Sequence, residues 1–193
     1  MDILKKVKRV SIAIGVMLVI ISVPLFIVEC DAGRLIHQAE GKIPDVFEFF
    51  DRNKEYFDTL LELQRRNENR FYQFCGFSTS DGEVNVEVSS YVNHRVVFLY
   101  DAPISECDFL TDAEERAIME LISTPELSLV ADVVIEVYPN SVSVFYERFR
   151  SSRTGNQTWT LIEHPGGKST SLSSRYIRID DNWDIVIHYI HRI

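Results

Sequence analysis

Three glutamates lie within β-prone stretches: Glu136 in VVIEVY, Glu147 in VFYERF and Glu163 in TWTLIEH. If two of them converge on one sheet face, one carboxyl can protonate a leaving group while the other activates water or substrate. Glutamates on a sheet surface are more often simply solvated, and no motif fixes the separation of these three. A second concentration of polar groups is Asp180-Asp181-Asn182-Trp183-Asp184. Its carboxylates suggest calcium, but the alternating acidic ligands, the glycine and the twelfth-position Glu of an EF-hand are missing. A turn in which Asp and Asn bond the local backbone explains the cluster more simply. Trp183 then follows the turn and precedes Ile185–Ile187, so burial at the core edge is expected of it. Were it exposed, Trp183 with Asp180, Asp181 and Asp184 would form the contact surface.

The remaining reactive residues form no recognisable site. His188 and His191 would share a helix face, but Ile185, Val186, Ile187 and Tyr189 favour a strand, which sends them to opposite faces. His94 and His164 fall in expected turns. Cys30, Cys75 and Cys107 contain no CxxC or CxxH pair. Cys75 and Cys107 are either buried free thiols or one disulfide. There is no GxSxG elbow and no SxxK, and HPGGK lacks the spacing of a phosphate-binding loop. Asn156-Gln157-Thr158 matches the glycosylation sequon. No catalytic residue, metal ligand or cofactor is therefore assigned.

Residues 10–28, VSIAIGVMLVIISVPLFIV, carry no charge. As a helix at about 1.5 Å per residue they extend about 28 Å, close to the ~30 Å of a bilayer's hydrocarbon core. Lys5, Lys6, Lys8 and Arg9 precede the run, while Glu29 and Asp31 follow it. That asymmetry predicts a cytoplasmic N-terminus and an exported remainder. Glu29 directly before Cys30 argues against lipidation. Cleavage after Ala32 stays open as the alternative, giving a secreted chain. The expected organisation is a basic cytoplasmic segment at 1–9, a transmembrane signal anchor at 10–28, a juxtamembrane linker at 29–43 and an extracytoplasmic domain at 44–193. The formal net charge is −9 over 193 residues, and the cations before the apolar run make the exported part more acidic still. With no basic stripe, nucleic acid is not an expected partner.

Within the exported part, Pro44 opens a long amphipathic stretch reaching Arg66, its stripe built from Val46, Phe50, Phe57, Leu60 and Leu61. Val84, Val86 and Val88 alternate with polar residues as a half-buried strand, and RVVFLYD reads as a more central one. Thr111 and Glu114 form a capping box for a helix that ends at Pro125. Two β-rich runs flank Pro139-Asn140, a hairpin signal. QTWTLIEH is a further strand, and residues 175–190 make one bent strand or a second hairpin. Helices segregated from runs of strands predict an α+β class: an antiparallel sheet with helices packed on one face.

FFDRNKEYFDTL, VVIEVYPNSVSVFYE and LIEHPGGKSTSLSSRYIRIDDNWDIVIHY together resemble small exported, membrane-anchored proteins of Firmicutes, a group of unknown function. The resemblance implies an exported domain and offers no activity to transfer. Absence of a catalytic signature favours a binding or interaction module held in the membrane through residues 10–28, with an envelope protein as partner. The alternatives are an envelope hydrolase using strand carboxylates and a structural subunit of an envelope assembly.

Overall fold

The computed structural model describes residues 17, 31–67, 70–75, 84–92, 95–125, 127, 133–152, 154–164 and 174–190. The fold is α+β, with one antiparallel eight-stranded sheet. Residues 31–41 are helical (α1), followed by α2 (Ile43–Arg52) and α3 (Lys54–Arg65). Strands β1 (Arg70–Cys75), β2 (Asn85–Val92) and β3 (Arg95–Pro103) come next, then a short 3-10 turn and α4 (Asp112–Ile122). The chain closes with β4 (Val133–Tyr138), β5 (Ser141–Arg150), β6 (Gln157–His164), β7 (Ser174–Arg178) and β8 (Asp184–Ile190). The spatial order is β3-β2-β1-β4-β5-β6-β8-β7.

Alternation along the strands divides the sheet into two faces. Phe74 pairs with Ile135, Ile135 with Val144, Val144 with Ile162, Ile162 with Ile185 and Ile185 with Ile177. This apolar row packs against Phe49, Phe50, Phe57, Leu60 and Leu61 of the helices. Phe57 is fully buried, with its ring 4.8 Å from Phe50, 5.0 Å from Trp183 and 6.0 Å from Phe49. Such a cluster of offset and edge-on rings holds more apolar area per residue than aliphatic packing does.

The expected long helix is two. Asn53 ends α2, its backbone N–H bonding Phe49 and Phe50 carbonyls and its buried side-chain amide donating to the Phe49 carbonyl at 2.8 Å. Lys54 then starts α3, and the aromatic stripe continues across the break. The capping box at Thr111 is present: Glu114 N–H donates to Thr111 Oγ1, and Thr111 N–H donates to Glu114 Oε2 at 2.8 Å. Arg66 reaches the same carboxylate from α3, joining the two helices. Burial pulls the Glu114 carboxyl upward, but Arg66 and Thr111 outweigh it and hold the group below the usual carboxylate range.

Two expectations are corrected. RVVFLYD lies in β3, an edge strand, and Val97 within it is 42% exposed. A continuous β-prone run marks strand propensity and not position in the sheet. The polar stretch expected to be a linker is helical over 31–41 and docks on the domain, with Leu35 and Ala39 buried. Asp31 anchors its start, accepting a 2.6 Å hydrogen bond from Thr154 Oγ1 in the β5–β6 turn. Ser151, Thr154 and Arg34 together hold the Asp31 carboxyl down at about 2. Gly155 in that turn has φ 73°, the left-handed region where a Cβ is costly. Among the described residues no helix is long and apolar enough to cross a membrane. Apart from Met17, the anchor expected at 10–28 lies outside the described residues.

Candidate functional site

The face opposite the helices is built from the alternate residues of the same strands, and it is ordered in rows. Glu87 pairs with Gln73, Gln73 with Glu136, Glu136 with Ser143, Ser143 with Glu163, Glu163 with Asp184 and Asp184 with Arg178. Seven strands thus contribute one polar side chain each to a single row. Gln73 Nε2 donates to Glu136 Oε1 at 2.9 Å, and Tyr138 Oη donates to Glu136 Oε2 at 3.1 Å. Ser143 Oγ donates to Glu163 Oε1 at 3.2 Å. Arg178 Nε lies 2.9 Å from Asp184 Oδ1.

Next to this row runs an apolar one, Phe145–Leu161–Val186–Tyr176, in which Leu161 is 4% exposed and Val186 not at all. A third row is Arg148–Trp159–His188–Ser174. Glu163 Oε1 comes within 3.7 Å of His188 Nε2, although four residues separate their levels along the strands. That offset is about 13 Å of backbone. The two side chains therefore lean toward each other across Leu161 and Val186. His188 Nδ1 lies 2.6 Å from Ser174 Oγ. A continuous polar chain, Ser143–Glu163–His188–Ser174, crosses four strands.

Of the three strand glutamates, the sheet brings two together. Glu136 and Glu163 share the polar row on either side of β5, with Cα atoms about 9.5 Å apart at normal strand spacing. Glu147 points the other way. An irregularity between Phe145 and Glu147 shifts the register, so Glu147 pairs with Thr160 and faces α1 and α2, near Lys42 and Asp45. Burial raises its carboxyl above the usual range. The acid pair is thus reduced to Glu136 and Glu163.

The Asp180–Asp184 segment is a tight connection between β7 and β8. Asp180 Oδ1 accepts from Asn182 N–H at 2.8 Å and Trp183 N–H at 3.0 Å, while its Oδ2 meets Lys54 Nζ at 2.6 Å. Its carboxyl is pulled up by burial, yet Lys54 and those backbone donors bring it below the normal value. Trp183 is fully buried and packs on Phe50, Phe57 and His164. Its indole is not available as a contact surface, so the four-residue patch is dismantled: Trp183 belongs to the core, Asp180 to the turn, Asp184 to the polar row. Asp181 is exposed.

Other sequence candidates resolve individually. Cys75 and Cys107 are free thiols, Cys107 being buried, which pushes its thiol up to about 11. Asn156 is fully buried and donates to Tyr189 Oη at 2.8 Å, so the sequon is closed to modification. His188 stands on β8, while His191 and His94 lie outside the described residues. His164 bonds the Asn182 carbonyl at 2.7 Å. Among the described residues no three His, Cys, Asp or Glu side chains are grouped to hold a metal ion. A shallow open depression between α3 and α4 is edged by Arg65, Arg66 and Glu114, whose charges are already matched within the fold. The polar row escaped the sequence reading because pairing register is a long-range property. Only the alternation of each strand is visible locally. No family model, curated protein or solved structure matches the chain.

Proposed function

We propose that this chain is a single-pass, membrane-anchored extracytoplasmic module that binds a cationic, donor-rich segment of an envelope protein on the sheet face opposite its helices. The observation that carries the binding site is the polar row. Glu87, Glu136 and Glu163 are half-buried among Gln73 and Ser143, while Asp184 is buried against Arg178, the row's one cation. Carboxylates at strand spacing present acceptors in a line, which suits ammonium or guanidinium groups. Membrane attachment is supported by the length of the uncharged run 10–28 and by the cations before it.

The full chain in lipid nanodiscs, titrated calorimetrically with an alternating Lys-Ser peptide, tests the binding site. Saturable, salt-sensitive binding that the Glu136→Gln/Glu163→Gln double variant weakens at least tenfold is expected. No binding, or undiminished binding to the double variant, overturns the reading. Intact mass and high-salt extraction of membranes test the anchor, and a mature chain beginning at Gly33 would replace it with secretion.

The Glu163–His188–Ser174 chain favours a second reading, hydrolysis. His188 Nδ1 would take the Ser174 proton as Oγ attacks a carbonyl carbon, whose π electrons move to oxygen. It would then return that proton to the leaving group as the scissile bond breaks, leaving an acyl-serine for water to hydrolyse. A fluorophosphonate reagent that modified Ser174 would support it, and an unmodified Ser174 would leave binding alone.

A further inference from the structure

We infer that the β5–β6 end of the domain lies flat against the anionic headgroups of the membrane in which the chain is anchored. The inference rests on residues 10–28 being that anchor, and adds to it an orientation and a lipid-contact surface.

The first argument is reach. Only three residues lead from Val28 to Asp31, at most about 11 Å of chain. Asp31 is fixed to the β5–β6 turn through the 2.6 Å bond from Thr154, and α1 continues from it as a docked helix whose Glu40 meets Arg175. The turn therefore stays within about 15 Å of the end of the apolar run, the depth of the ~5–8 Å headgroup layer and its immediate surface. No slack tether intervenes. The opposite end of β5, ten residues long, is about 30 Å farther out.

The second argument is composition at that end. Arg148 and Arg150 are exposed on the face opposite the helices, next to the turn. Among the described residues neither has a carboxylate partner, in a chain whose net charge is −9. Arg148 lies over the Trp159 ring at 5.2 Å, and Ile190, opposite Gln157 in the adjoining row, is 49% exposed. An exposed aliphatic, a tryptophan and unpaired arginines at one level form the side-chain set that sits at a bilayer interface. At the far end Asp180 is paired with Lys54 and Asp184 with Arg178, and Asp181 is exposed. An anionic surface would attract the unpaired arginines of the near end more than the matched charges of the far one.

The chain contains two tryptophans, and they report on the two ends. Full-length protein is reconstituted into phosphatidylcholine vesicles and into an equimolar phosphatidylcholine–phosphatidylglycerol mixture, each doped with headgroup-spin-labelled lipid. Flotation reads the anchor, and tryptophan quenching reads the orientation. Expected is flotation in both, with emission in the mixed vesicles quenched severalfold more for wild type than for Trp159→Phe, where Trp183 alone emits. Arg148→Glu/Arg150→Glu should still float but lose most of that quenching. Flotation with equal quenching of the two tryptophans, or quenching indifferent to the charge reversal, overturns the orientation while leaving the anchor intact. Failure to float overturns the anchor, and the orientation with it.

Discussion

The two faces of the sheet are made by the same strands, one residue apart, yet the rows that face each way at the level of Ile162 and Glu163 differ in chemistry. On the helix side, Phe74, Ile135, Val144, Ile162 and Ile185 form a row sealed by the aromatic stripe of α2 and α3. On the other, Gln73, Glu136, Ser143, Glu163 and Asp184 occupy the adjoining positions. Burial of the first set supplies much of the folding free energy, and Leu161 and Val186 on the other face add to it. The hydrogen bonds of the second set contribute less, about 0.5–1.5 kcal/mol each. On the proposed binding role, recognition belongs to the face opposite the one that carries most of the stability, and the two can change independently. A one-residue slip would exchange them, so the hydrophobic face also fixes the register that aligns the polar row.

The comparison breaks most visibly at the helix face. Phe57→Ala removes the ring shared by Phe49, Phe50 and Trp183 and should cost about 3–5 kcal/mol in urea unfolding. A loss below about 0.5 kcal/mol would mean that the stripe does not carry the fold.

A smaller effect is expected at the docking of α1. The Asp31 carboxyl titrates at about 2 in the fold against 3.8 unperturbed, held there by Ser151 and Thr154. Because the folded value is the lower one, its contribution is complete above about pH 4 and disappears as pH falls through about 2. Asp31→Asn should lower stability at neutral pH and flatten that acid limb. An unchanged limb would detach Asp31 from the fold's energetics. Smallest of all, Gly33→Ala should stabilise by about 0.5–1 kcal/mol, since a helical glycine loses more backbone entropy than alanine. A Cβ there meets nothing within 4 Å. Destabilisation by this change would place something against that face of α1.

Local signals were legible in the sequence and topological ones were not. The Val84/Val86/Val88 alternation, the Thr111–Glu114 capping box, the Pro139-Asn140 hairpin and the Asp180 turn each depend on neighbours a few residues away. The break at Asn53 was hidden because the apolar spacing carries through it. The stretch 31–43 looked like a linker because only about one apolar residue per turn, Leu35 and then Ala39, is buried in α1, and its polar contacts, Asp31 to Thr154 and Glu40 to Arg175, are with residues far along the chain. β1 was assigned no strand because Phe71 and Tyr72, consecutive and both buried, break the alternation that marks one. The edge position of β3 and the alignment of the polar row both follow from strand order, which joins residues far apart in the chain. For the site, Glu136 and Glu163 were identified by type, whereas their separation from Glu147 depended on a register shift within β5.

Ile162 and Glu163 are consecutive on β6 and point to opposite faces, so they put the division of labour to its most direct test. Ile162→Ala and Glu163→Gln are each unfolded in urea and titrated with the Lys-Ser peptide under native conditions. The division of faces predicts that Ile162→Ala loses about 2–5 kcal/mol of stability while its folded fraction binds as wild type does. Glu163→Gln should stay within about 0.5 kcal/mol of wild type and bind several-fold more weakly. A Glu163→Gln chain destabilised as severely as Ile162→Ala, or one that binds the peptide unchanged, would contradict it.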